Sequence, residues 1–123
     1  MKRDMDLVRK ILLAMEGHEH GFAPQPFKIE GYDDEQVGHH VYMMGDAGLI
    51  NAADATHMQS RSPTAIPTSI TWEGHEFLEA ARKPAIWEAA KRRLADAGVG
   101  CTIELVKRVL LELSKKALDL SAV

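Results

Sequence analysis

The chain has 123 residues, 46% of them hydrophobic and 27% charged, the composition of one ordinary soluble globular domain. Its formal charge of −3 speaks against a nucleic-acid binder, whose footprint is usually a basic balance. The single Cys101 excludes an internal disulfide and a multi-cysteine zinc site, no apolar run is long enough to span a membrane, and the opening MKRDMDLVRK carries acids where a signal peptide needs an unbroken hydrophobic stretch; a cytoplasmic protein without membrane contact is expected.

Residues 4–16 set Met5, Val8, Ile11, Leu12 and Met15 at spacings of three and four, one stripe of a helix ended by Gly17. The following GHEHGFAPQP has no period and two prolines, so it reads as a loop. Phe27-Lys28-Ile29-Glu30 alternates apolar and polar and predicts a short strand closed by Gly31. Asp33 followed by Gln36 is a capping-box pattern that opens a helix over 33–47, with Val37, Val41 and Met44 on its inner face.

Residues 49–58 and 65–71 predict a two-stranded hairpin around the tip QSRSPT. Ile66, Thr68 and Ile70 would share one side, and Pro67, which cannot donate to a ladder, argues for an edge. Thr71 can cap the helix WEGHEFLEAAR, in which Trp72, His75 or Glu76, and Leu78 or Glu79 recur at helical spacing. Lys83-Pro84 marks a break. A helix then resumes over 84–97, with Trp87, Ala90, Leu94 and Ala97 along one face, until Gly98 and Gly100 stop it. In the last segment Ile103, Val106, Leu110, Leu113, Ala117 and Leu120 alternate steps of three and four, while Leu105, Val109, Leu111 and Leu118 widen the apolar arc. Such a helix either packs on its own domain or forms the seam of a homodimer.

The expected fold class is therefore mainly α with a small β-hairpin. Its order matches a winged-helix-like core over 1–83 followed by a C-terminal helical extension over 84–123, in one compact domain. The segments MKRDMDLVRKILL, HHVYMMGDAGLI and TWEGHEFLEAAR, with Trp87 after them, resemble a family of bacterial, phage and prophage proteins of unknown function, over roughly residues 2–120. The resemblance implies a winged-helix-like fold and a phage or prophage context, and it assigns no catalytic or binding residue. Between Gly17 and Asp33 there is no amphipathic segment for the second helix of an ordinary winged helix.

Charge decides between partners. Residues 17–60 hold one basic and seven acidic side chains, whereas residues 84–123 hold seven basic and five acidic ones. The helix that would read DNA contains Asp33, Asp34, Glu35 and Asp46 and no lysine or arginine, so it repels phosphate. Gln36, His39, His40 and Tyr42 are the available base-edge readers, and Arg61 is the one cation at the hairpin tip. Lys91-Arg92-Arg93, Lys107-Arg108 and Lys115-Lys116 are interleaved with Glu88, Asp96, Glu104 and Glu112, which reads as a solvated helix rim.

His18-Glu19-His20, His39-His40 and His75-Glu76 lack the spacing of a zinc motif and read as surface histidines, except that His40, beside Val37, Val41 and Met44, reads as a partly buried hydrogen-bonding residue and His75 is expected to pack near the start of the helix that follows Thr71. Cys101 has no nucleophile motif around it, and no phosphate loop or serine elbow is present. No catalytic, cofactor or metal site is expected. The reading is a non-catalytic phage-type accessory protein that acts by protein association through its acidic surface, with Asp33, Asp34, Glu35, Gln36, His39, Tyr42, Asp46 and Arg61 as contact candidates. The alternative is a DNA-binding winged-helix transcriptional regulator.

Overall fold

Helix α1 (Met5–Glu16) begins where Asp4 turns its carboxylate onto the first free amides, accepting from Asp6 N at 2.9 Å and Leu7 N at 3.2 Å. All five residues of the predicted stripe are buried, and Leu7 joins them. Burial of each such side chain contributes on the order of 1.5–3 kcal/mol. The computed structural model describes residues 2–18 and 27–121, without the side chains of 120 and 121, so most of the predicted loop, 19–26, lies outside the described residues.

The strand expected at 27–30 does not form. Its alternation is real, since Phe27 and Ile29 are half-buried and Lys28 and Glu30 exposed, but the sheet described here contains two strands and this segment pairs with neither. Tyr32 N donates to Ile29 O instead, closing a turn. Helix α2 (Asp34–Asp46) follows with the predicted capping box: Gln36 N donates to Asp33 Oδ1 at 2.7 Å and Asp33 N to Gln36 Oε1 at 3.0 Å. At Gly48 the backbone takes φ +81°, a left-handed turn that favours glycine, and delivers Leu49 and Ile50 into the core.

Strands β1 (Ile50–Asp54) and β2 (Ala65–Ile70) form the antiparallel hairpin, β1 being shorter than its sequence pattern. Asn51 faces Ser69 and Ala52 faces Pro67, so Thr68 is an extra residue in β2. The bulge breaks the expected sharing of one side: Ala65 and Pro67 are buried and Ile66 is exposed, whereas Thr68 and Ile70 are half-buried. Pro67, having no N–H, is tolerated at this break, and Thr68 Oγ1 donates to Asn51 O at 2.9 Å across it.

Helix α3 (Trp72–Ala81) starts at Thr71, whose hydroxyl accepts from Gly74 N at 3.1 Å and donates to the carbonyl of Gly48 at 2.6 Å. A Cβ at position 74 would run into the carbonyl oxygen of Leu49, so only glycine lets the helix sit this close to the end of the helix-to-strand turn. The inner face of α3 is Gly74, Phe77, Leu78 and Ala81, not the Trp72–His75 side; both Trp72 and His75 are exposed. Helix α4 (Pro84–Ala97) opens with proline in its first turn and buries Trp87, Ala90 and Leu94, while Ala97 stays outside. Helix α5 (Ile103–Ser121) is capped by Thr102, whose Oγ1 accepts from Leu105 N at 3.2 Å.

The chain is thus mainly α with a small β-hairpin. It divides into two compact units, Met1–Glu76 and Phe77–Val123, the division falling within α3. In the first, α2 packs on α1 and on both strands. In the second, α4 packs on α5, and Phe77 meets Trp87 edge to face with centroids 6.3 Å apart. Among the described residues no helix is long and apolar enough to cross a membrane.

Candidate functional site

The polar face of α2 and the hairpin beside it carry the predicted contact residues, and most of them are committed within the fold. Asp33 and Gln36 form the capping box. Glu35 Oε1 accepts from Arg61 N at 2.8 Å, Ser62 N at 3.0 Å and Ser62 Oγ at 3.1 Å, gathering the end of the hairpin loop onto the helix. Desolvation works against its ionised form, but the hydrogen bonds from Ser62 and Arg61 together prevail and hold its carboxyl below the usual glutamate range. One turn along, His39 Nδ1 donates to Pro63 O at 2.8 Å, and its ring stacks on Tyr42 with the planes 8° apart. Glu35, His39 and the backbone of Arg61 therefore come together as a clamp between α2 and the hairpin.

Asp34, Tyr42 and Asp46 are left facing outward. Asp34 meets Lys28 Nζ at 3.1 Å, which engages the one cation of residues 17–60. Exposed pairs of this kind contribute about 0–1 kcal/mol and leave the surface field acidic overall. Asp54 accepts from Thr56 N at 2.9 Å; that backbone bond, with the Thr56 hydroxyl, lowers its carboxyl pKa. Between α2 and the hairpin lies an open cleft of about 320 Å³, floored by Val37, Gly38 and Val41 and rimmed by Asp34, Glu35 and His57.

Behind this face His40 is only 1% exposed. Asp4 N donates to its Nε2 at 2.8 Å, so that nitrogen carries no proton, and Nδ1 donates to Gln36 O at 2.8 Å. Burial is the main reason that its pKa falls below the ordinary histidine value. Tyr32 Oη donates to Asp4 Oδ2 at 3.2 Å, so the residue capping α1 is linked to α2 on one side and to the 27–33 segment on the other. The sequence pattern signals a buried His40 but not its partner at Asp4, which lies 36 positions earlier.

Among the described residues no group of three or more His, Cys, Asp or Glu side chains could hold a metal ion; Glu19 and His20 lie outside them. Cys101 is half-buried. On the C-terminal helices Lys91 pairs with Glu88 at 3.2 Å and Arg93 with Glu112 at 3.0 Å, which interrupts the basic run. Along the predicted seam of α5, Val106 and Leu110 are buried, Ile103 and Leu113 half-buried and Ala117 exposed, and the side chain of Leu120 lies outside the described residues. Leu111 and Leu118 are exposed, Leu118 beside a groove of about 350 Å³ lined also by Ala80, Ile86 and Ala117.

A family described as "Hypothetical protein (DUF2513)" matches residues 2–100, which is α1 through α4. The chain belongs to that family. A relative from Haemophilus influenzae (strain ATCC 51907 / DSM 11121 / KW20 / Rd), described as "Uncharacterized protein", is 32% identical over 110 residues, spanning 89% of this chain and 92% of its own. No solved structure matches. The family match therefore takes in the whole α2–hairpin clamp and stops before α5.

Proposed function

We propose that this DUF2513 protein is a non-catalytic accessory protein of the phage or prophage kind, working in the cytoplasm by association with a protein partner that presents a basic surface. The observation that carries this reading is the outward acidic side of the N-terminal unit. Glu30, Asp34 and Asp46 are exposed, and Lys28, the single cation among residues 17–60, is already held by Asp34. Such a field steers and orients a basic partner while rejecting an acidic one. A pull-down from the native bacterial cell tests it: the wild-type protein should recover a basic protein that elutes as salt rises, and Glu30→Gln/Asp34→Asn/Asp46→Asn should recover less of it. Recovery of nothing but the bait at low salt contradicts the proposal.

The order helix, helix, hairpin, helix supports a second reading, a winged-helix-like DNA binder with its hairpin tip, Met58 and Arg61, turned outward. It is the weaker one, because α2 offers phosphate no lysine or arginine and its Gln36 and His39 are spent on the fold. For a homodimer, α5 offers its outer residues Leu111, Ala117 and Leu118, since Val106 and Leu110 are buried within the chain itself. Sedimentation of Leu118→Glu against the wild type reads that part of the proposal.

A further inference from the structure

We infer that Trp72 is the anchor by which the acidic unit grips its partner, seating an arginine side chain of a basic protein on the indole face among Asp46, Glu73 and Glu76. The inference rests on the reading that the partner is basic, and it adds a place and a chemistry to it.

Trp72 is 76% exposed, whereas the chain's other tryptophan, Trp87, is 2% exposed. A tryptophan carries roughly 150–250 Å² of mostly apolar surface, and leaving it in water forgoes the burial that the rest of this core collects. Tryptophan left outside a fold in this way is the residue type most enriched among side chains that dominate binding energy. Its position is fixed rather than incidental. The Thr71 hydroxyl holds the carbonyl of Gly48 at 2.6 Å and Thr71 N donates to Leu49 O at 3.1 Å, which pins the first turn of α3 beside the end of α2. Gly74 faces inward here, so the helix turns Trp72 outward.

The charges around it select the partner. Glu76 is one turn along the same helix face, Glu73 is the next residue, and Asp46 ends α2 next to the turn that Thr71 grips. All three are exposed, and among the described residues none of their carboxylates is ion-paired. Glu73, in the first turn, also offsets the partial positive charge of the helix start, which would otherwise repel a cation. An exposed indole beside free carboxylates suits guanidinium, which stacks on the ring and donates bidentate bonds, better than a compact ammonium.

The test titrates labelled arginine nonapeptide into the full chain at low salt, following peptide anisotropy and tryptophan emission. Circular dichroism confirms that each variant is folded. The wild type should bind with saturable quenching; Trp72→Ala should bind about three- to ten-fold more weakly and lose the quenching, because Trp87 is shielded. Glu73→Gln/Glu76→Gln should weaken binding further, and a lysine nonapeptide should bind the wild type less well than the arginine one. If Trp72→Ala and Glu73→Gln/Glu76→Gln bind as the wild type does while Glu30→Gln/Asp34→Asn binds less, the role of Trp72 is overturned and the acidic-surface reading stands. If the wild type does not bind the peptide at all, both are overturned.

Discussion

The two helices α2 and α5 obtain their stability by different means. Along α5 the apolar periodicity runs the whole length of the helix, yet burial stops part-way: Val106 and Leu110 are sealed, whereas Leu111 and Leu118 are 52% and 68% exposed. Along α2 the apolar pattern is sparse, and the helix is tied down by named polar bonds at Asp33, Glu35, His39 and His40. Periodicity reports how much apolar surface a helix carries, not how much of it its neighbours cover. Polar residues on an outward face are equally ambiguous, since the same Glu or His that could meet a partner can be spent on the fold.

Five substitutions probe this contrast. The largest effect falls within α5: Leu110→Ala leaves a cavity at a fully buried site and should cost about 2–5 kcal/mol. Leu118→Ala on the exposed side should stay within about 0.5 kcal/mol. Urea midpoints read both, and equal costs would show that the exposed half of α5 is packed after all. In the N-terminal unit Gly74→Ala forces a Cβ against the Leu49 carbonyl and should cost about 3 kcal/mol, with the α2-to-β1 turn and the start of α3 loosened first. A midpoint unchanged by Gly74→Ala would contradict the close approach.

His40 gives the third effect, through pH. Burial lowers its pKa in the folded chain below the usual value of about 6.5, so the unfolded chain takes up the proton more readily. The stability that this histidine contributes is fully present above about pH 6.5 and is lost as pH falls below it toward the folded value. His40→Gln, which can still accept from Asp4 N, should flatten that slope; a slope unchanged by it assigns the acid sensitivity elsewhere. The smallest effect belongs to Glu35→Gln. It weakens the charge-assisted acceptor for two amides and should speed hydrogen exchange at Arg61 and Ser62 while leaving α1 unaffected.

Local chemistry made much of the fold legible. The Asp33/Gln36 capping box, the stripe of α1 and the Thr71 cap are short-range patterns, and each is present as read. What failed depended on distant partners. The alternation of 27–30 is that of a strand, but a strand exists only where another backbone pairs with it. The alternation of β2 is interrupted by one bulged residue, Thr68, which no alternation count reveals. At the candidate site, the acidity of α2 was plain from composition, while the capture of Glu35 by Arg61 and Ser62 needed the hairpin to fold back over 26 and 27 positions. The outward face of Trp72 was missed because helical spacing lets residues 72 and 75 or residues 74, 77, 78 and 81 face the core; the close approach at Gly74 decides it.

On the proposed function, the acidic N-terminal unit meets a basic protein and not nucleic acid. Titrating the full chain side by side into a labelled pool of duplex DNA fragments and into labelled arginine nonapeptide, at low salt and micromolar protein, tests it most directly. The expected result is saturable peptide binding that weakens as salt rises and no mobility shift of the DNA. A salt-sensitive DNA shift, with no binding of the peptide, would contradict it.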